Sequence, residues 1–180
     1  KMYKLKKFYD ISIPISEDIP YYPGDVKFYS QPICTIERSG CNMLKMIIGT
    51  HTGTHIDAPF HFLYYGSKID EIPLDIFYGT ARVIEIKEGN IDSSKLSQHD
   101  FSNVTRLLFK TSNSNLLKKG IFNKKYVSLT LDGANYLCKF PINLVGIDYI
   151  SIEAFGTSDF IVHKTLLNKG IAILEGINLS

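Results

Sequence analysis

The chain has 180 residues, of which 44% are hydrophobic and 21% are charged, as is typical of a globular protein large enough to bury a core. Lys and Arg number 20 and Asp and Glu number 18, so the net charge of +2 argues against a protein that binds nucleic acid or a membrane surface. No apolar run reaches the roughly 18 residues needed to span a bilayer, and three cysteines without a CxxC pair predict free thiols and a cytoplasmic location.

Strands are the most frequent predicted element. Short runs rich in β-branched and aromatic residues alternate with turn signals along the chain. These runs predict strands over 9–15, 33–38, 43–56, 81–86, 106–111, 144–152 and 170–176. The segment 16–25 is predicted to be a loop because of its prolines and Pro-Gly step, and 63–79 is predicted to be mostly irregular.

Helices are fewer and short. "TLDGANYLCKF" predicts a helix that is capped at its start by Thr130 or Asp132. Further short helices are predicted within 93–101 and within 163–170, where a glycine closes the second one. Strands with a few helices packed on them predict a single mixed α/β domain over residues 1–180.

Three of the five histidines and an aspartate crowd the segment "GTHTGTHIDAPFHF", residues 49–62. A helix does not suit this segment, because Asp57 lies about 240° round a helix from His51 and two glycines and a proline interrupt the run. In a strand, the side-chain period of two places His51, Gly53, His55 and Asp57 on one face.

An ideal strand would nevertheless hold His51 and His55 about 13 Å apart, whereas two imidazoles on one metal need nitrogens about 3 Å apart. We therefore predict a bend or bulge near Gly53, where the missing Cβ permits it. Pro59 is expected to end the strand and to leave His61 on the loop beyond.

Imidazole and carboxylate groups in this number indicate a metal centre. A lone histidine is more often a hydrogen-bonded surface or core residue, but three with an aspartate at these spacings favour metal binding. Neutral imidazole with carboxylate suits zinc, manganese or iron, and the lack of cysteine ligands disfavours a closed structural zinc site.

The histidine-rich segment also carries a family resemblance. Its pattern HxGTHxDxPxHF, from His51 to Phe62, resembles the signature of the cyclase family, whose best-known members are bacterial kynurenine formamidases. "YYPGD" (21–25) and the segment 145–177 resemble that family as well, so the similarity covers most of the chain. The resemblance implies a swivelling β/β/α fold with a hydrolytic centre of one or two divalent ions.

The resemblance also implies roles for individual residues. By position, five metal ligands are expected: His51, His55, Asp57, His163 and Glu175. Asp57 would bridge two ions, of zinc or manganese, and His61 would be the catalytic acid and base that moves protons between water and the leaving group. Only His99 would then have no role among the five histidines.

The implied activity is hydrolysis of a small-molecule amide, most specifically of N-formylkynurenine to kynurenine and formate in tryptophan catabolism. Hydrolysis of a lactone or cyclic amide, cyclisation of another small molecule, and metal binding without catalysis are the alternatives. Tyr22, Phe60, Phe62 and Tyr64 are candidates for an aromatic wall against a planar substrate, although core packing is the simpler explanation for any one of them. By analogy with the family, a homodimer or tetramer is expected.

Overall fold

The computed structural model describes residues 7–180, so the first six residues of the predicted domain lie outside the described residues. The described part contains seven strands: β1 Tyr29–Cys34, β2 Met43–Ile47, β3 His55–Asp57, β4 Arg82–Glu85, β5 Arg106–Lys110, β6 Leu144–Ile147 and β7 Ala172–Glu175. It also contains five short α-helices: α1 Ile36–Ser39, α2 Ser93–Leu96, α3 Asn113–Leu117, α4 Leu131–Leu137 and α5 Ile161–Asn168. Between residues 7 and 180, no helix is long and apolar enough to cross a membrane.

The main sheet has five strands in the order β3–β7–β6–β5–β4. Strands β4, β5, β6 and β7 are parallel to one another, and β3 pairs antiparallel with β7 at the edge of the sheet. Parallel neighbours need crossover connections, and α5 lies in the connection from β6 to β7. All four residues of β6 are buried, as expected of a strand covered on both faces. The predicted mixed α/β fold is therefore confirmed.

Two of the predicted helix signals act as expected. Thr130 is the N-cap of α4, where its side chain accepts a hydrogen bond from the backbone N–H of Gly133. Gly170 follows α5 with a φ of +78°, a left-handed conformation that ends helices and favours glycine. Ala134 and Leu137 of α4 are fully buried in the core, and α4 packs against α5.

The predicted strand over 9–15 is wrong. The backbone N–H of Ser12 donates to the side chain of Asp10 at 2.9 Å, and the N–H of Ile13 donates to the hydroxyl of Thr54 at 2.9 Å. Side chains therefore take the donors that a β-ladder would need, and the segment stays irregular.

Three other predicted strands are shorter than expected. Within the predicted strand 33–38, β1 ends at Cys34 and α1 begins at Ile36. The predicted strand 144–152 corresponds to β6, which ends at Ile147. The run 43–56 divides into β2 and β3, which belong to different sheets. Strands β1 and β2 form a separate antiparallel pair in which every residue of β2 is exposed. The pattern of hydrophobic residues alone does not show where a chain segment passes from one sheet to another.

Candidate metal centre

Strands β3 and β7 lie side by side and bring acidic and imidazole groups together. His55 stands opposite Glu175 in the antiparallel register, and Asp57 ends β3. His55 Nε2 lies 3.6 Å from Glu175 Oε2 and 3.5 Å from Asp57 Oδ1. Asp57 and Glu175 are only 1% and 3% exposed, so both carboxylates are buried. The strand pairing therefore joins two parts of the chain that are far apart in sequence.

A bend before β3 brings His51 into the same centre. Gly53 has a φ of +76°, which its lack of a Cβ permits, and residues 48–54 lie outside any strand. His51 Nδ1 is 2.9 Å from Asp57 Oδ1, and the centroid of its ring is 3.9 Å from that of His61. The bend that a shared metal would require is therefore present at the expected glycine.

The rings of His55 and His163 are each held through the Nδ1 atom. His55 Nδ1 lies 3.0 Å from the carbonyl oxygen of Gly53, and His163 Nδ1 lies 2.7 Å from Glu153 Oε2. The Nε2 atoms face the carboxylates, with His163 Nε2 3.4 Å from Glu175 Oε1. Metal-ligating histidines are commonly anchored through the second ring nitrogen in this way.

The possible donor atoms fall into two groups that share Asp57. One group is His51, Asp57 and His61, the other is His55, Asp57 and Glu175, and the donor atoms of each lie within 4.8 Å of one another. His55 Nε2 and Asp57 Oδ1 are buried without a hydrogen-bond partner, although His51 Nδ1 approaches Asp57 Oδ1 to 2.9 Å. Unpartnered buried polar atoms are costly, and a cation would satisfy both. The residues present therefore fit a divalent metal.

The ionisation of the cluster reflects its burial and its mixed charges. Burial lowers the pKa values of His55 and His163, but the acidic neighbours outweigh it and raise both to about 9. Burial and the charge of Asp57 raise the pKa of Glu175. Burial also acts to raise the pKa of Asp57, but His51 and His55 hold it well below its usual range. Without metal, His55 and His163 therefore carry positive charge beside the carboxylates.

His61 differs from the other histidines of the cluster. Burial lowers the pKa of His61 to about 4, despite the opposing charge of Asp57. The ring is therefore neutral at pH 7 and able to accept a proton. Its donor atom also lies within the group of His51 and Asp57, so the geometry suits a ligand as well as a base.

A cavity beside the centre has a partly aromatic wall. Tyr22, Phe62 and Phe160 line it together with residues of the centre. Phe62 stacks on Phe160 with ring centroids 4.8 Å apart, and it also contacts the ring of His163 at 4.7 Å. Tyr22 and Phe62 therefore both line the cavity beside the centre.

Phe60 and Tyr64 are not among the residues that line this cavity. Their side chains are 53% and 85% exposed. The 3₁₀ turn Pro59–His61 carries its last residue into the centre, so the preceding Phe60 lies on the outside, with Lys68 Nζ 5.5 Å from its ring. Tyr64 lies beyond that turn and faces solvent.

Sequence reasoning missed Glu153 and Phe160. Glu153 is 2% exposed and follows an apolar run directly, which was the available signal. Burial raises its pKa, but hydrogen bonds from His163 outweigh it and hold the pKa of Glu153 below its usual value. Phe160 has a φ of +50°, a conformation that is rare for an aromatic residue and that no sequence pattern indicated.

Comparison with known proteins places this geometry in context. The model of the family named Cyclase, described as "Putative cyclase", matches residues 9–154. A "Kynurenine formamidase" of Bacillus cytotoxicus is 35% identical over 178 residues, which cover 98% of this chain and 84% of the relative. A protein of the same name from Bacillus anthracis is 34% identical, with the same coverage.

Solved structures agree with the fold. A protein from Bacillus stearothermophilus described as a "predicted metal-dependent hydrolase" superposes with a TM-score of 0.80 at 30% identity, covering 96% of this chain and 82% of that one. Isatin hydrolase A from Labrenzia aggregata superposes with a TM-score of 0.81 over 94% of this chain and 79% of that one. Its identity of 19% makes that likeness one of fold alone.

Proposed function

This chain belongs to the cyclase family, and we propose that it is a metal-dependent arylformamidase that hydrolyses N-formylkynurenine to kynurenine and formate. Relatives named kynurenine formamidase match nearly its whole length, and a structural neighbour at 30% identity is described as a metal-dependent hydrolase. The proposal includes one domain of this kind, a cytoplasmic location and assembly into a homodimer or tetramer, as expected from the sequence.

We assign the metal ligands to the residues that the geometry gathers: His51, His55, Asp57, His163 and Glu175. Asp57 is common to both donor groups, which supports a centre that would hold two ions. Zinc and manganese both suit imidazole and carboxylate donors, and one or two ions per chain are part of the proposal.

A divalent ion bound there would supply Lewis acidity and lower the pKa of water towards neutrality. His61 is neutral at pH 7, so one of its ring nitrogens can take a proton from water and return it to the leaving nitrogen. The water oxygen bonds to the formyl carbon as the bond from that carbon to the amide nitrogen breaks, so the products are a free amine and formate. Tyr22 and Phe62 would hold the aromatic ring of the substrate beside the centre.

The single observation that carries this proposal is the buried cluster around Asp57, where His55 Nε2 and Asp57 Oδ1 lack hydrogen-bond partners. The test is the metal content of protein purified without chelator, followed by N-formylkynurenine hydrolysis with and without that metal. Stoichiometric metal with metal-dependent release of formate is the expected result. Protein that binds no metal even after reloading would overturn the proposal.

The substrate assay also separates the alternatives. Metal without formamidase activity would direct the assay to lactones and cyclic amides, where hydrolysis adds one water to the mass. A product of unchanged mass, or one lighter by a water, would indicate cyclisation or dehydration by the same ligands. Each outcome keeps the metal centre and changes the substrate or the reaction.

A further inference from the structure

Glu153 touches the proposed metal centre through one residue. Its Oε2 atom lies 2.7 Å from His163 Nδ1 and accepts a hydrogen bond from the His163 backbone N–H at 3.2 Å. These contacts hold both the ring and the backbone N–H of His163. His163 Nε2 is thereby turned towards Glu175 Oε1 at 3.4 Å and Asp57 Oδ2 at 3.9 Å.

We propose that Glu153 is a positioning residue, which holds the neutral ring of His163 with its proton on Nδ1 and its Nε2 lone pair directed at the metal. The inference rests on the proposed function, since it requires a metal at His163. The physical reason is that a carboxylate bonded to Nδ1–H selects one tautomer and one ring orientation and makes the opposite nitrogen more basic. Glu153 lies in the wall of the cavity beside that ring.

A role in stability alone explains Glu153 less well. Its Oε1 atom is buried and has no hydrogen-bond partner. A buried carboxylate with one unsatisfied oxygen carries a desolvation cost, and exchange of a whole buried ion pair for well-packed apolar residues is often neutral or stabilising. A residue retained for the fold would be expected to satisfy both oxygens, whereas a residue that orients His163 needs only one.

The backbone of Glu153 has a separate set of contacts, which provides a matched control. The Tyr126 hydroxyl donates to the carbonyl oxygen of Glu153, and the Ser151 hydroxyl donates to the same oxygen at 3.2 Å. Tyr126→Phe removes a hydrogen bond from this residue without touching its carboxylate. A general disturbance of the segment would affect both variants, but loss of the His163 contact would affect only changes at the carboxylate.

The test uses Zn²⁺ as the probe and compares wild type with Glu153→Ala, Glu153→Gln and Tyr126→Phe. Competition with a chromophoric chelator gives the zinc affinity, and long-range ¹H–¹⁵N spectra of the zinc-loaded protein give the tautomer of His163. Zinc binding should weaken roughly 10- to 100-fold in Glu153→Ala. Glu153→Gln keeps an acceptor and should lose less, and Tyr126→Phe should match wild type.

The outcomes separate this inference from the proposed function. If wild type binds zinc and both Glu153 variants bind it equally well with the same His163 tautomer, the positioning role is wrong and the metal centre stands. If wild type binds no zinc, the centre itself is wrong and the role falls with it. If Glu153→Ala does not fold, Glu153→Gln decides through its zinc affinity and the tautomer of His163.

Discussion

His55 lies directly opposite Glu175 in the antiparallel pairing of β3 with β7, with 3.6 Å between Nε2 and Oε2. Because side chains alternate between the faces of a strand, a slip of one residue in this register would turn His55 and Asp57 away from the centre. The register of one short edge strand therefore assembles the proposed ligands from two distant parts of the chain.

Asp57→Asn should remove nearly all bound metal. Asp57 belongs to both donor groups, whereas His51 belongs to only one of them, so His51→Ala should leave metal in the group of His55 and Glu175. Elemental analysis of the two variants, purified side by side, measures this difference. Equal metal content in wild type and Asp57→Asn would exclude Asp57 as a shared ligand.

His61→Ala should keep its metal and lower turnover by about 10²- to 10⁴-fold, the range for loss of a general acid and base. Metal content and the rate of formate release are measured on the same preparation. His99→Ala is the matched control, because His99 is exposed and outside the cluster. Loss of metal in parallel with activity would make His61 a ligand instead, as its place beside His51 and Asp57 also permits.

The pH dependence of stability and of metal affinity should run in opposite directions. In the metal-free protein, the pKa values of His55 and His163 are raised to about 9. The stability from their charged forms is complete below about pH 6.5, the unfolded value, and is lost as pH rises through about 9. Metal binding needs both rings deprotonated, so the apparent affinity should rise over the same interval.

Thermal unfolding with chelator and zinc titration, both between pH 6.5 and about 8.5, check these two trends. A melting temperature that rises with pH in the metal-free protein would contradict the charge assignment. Metal affinity that is independent of pH would show that His55 and His163 release no protons on binding.

Gly176→Ala should destabilise the fold and weaken metal binding. A Cβ at Gly176 would lie 2.2 Å from the carbonyl oxygen of Gly53, and Gly176 has a φ of +70°. The clash would push apart the segments that carry His55 and Glu175, at a cost of about 2–4 kcal/mol in the free energy of unfolding.

Gly170→Ala is the matched control for that variant. Gly170 has a φ of +78° but nothing within 4 Å of its ideal Cβ, so it isolates backbone strain from the clash. Denaturant unfolding of both variants measures the difference. If Gly176→Ala costs no more than Gly170→Ala, the close approach to Gly53 does not hold the centre together.

The local part of the centre was predictable from neighbouring residues in the chain. His51, His55, Asp57 and His61 lie within eleven residues, and a glycine and a proline among them predict the bend and the end of the strand. The mixed α/β fold also followed from apolar runs and helix caps, because hydrophobic period and capping are properties of neighbouring residues.

The groups that are distant in sequence and complete the centre, and the aromatic residues that reach it, depend on how the strands and helices pack. Glu153 contacts the ring of His163, which lies near the start of α5. Phe160 lines the cavity in a left-handed backbone conformation. Phe60 faces outward because the 3₁₀ turn directs His61 inward. The spacing of apolar residues predicts on which face of a helix or strand a side chain lies. The order of the strands in the sheet and the close approach of backbone segments determine which other residues pack against that face.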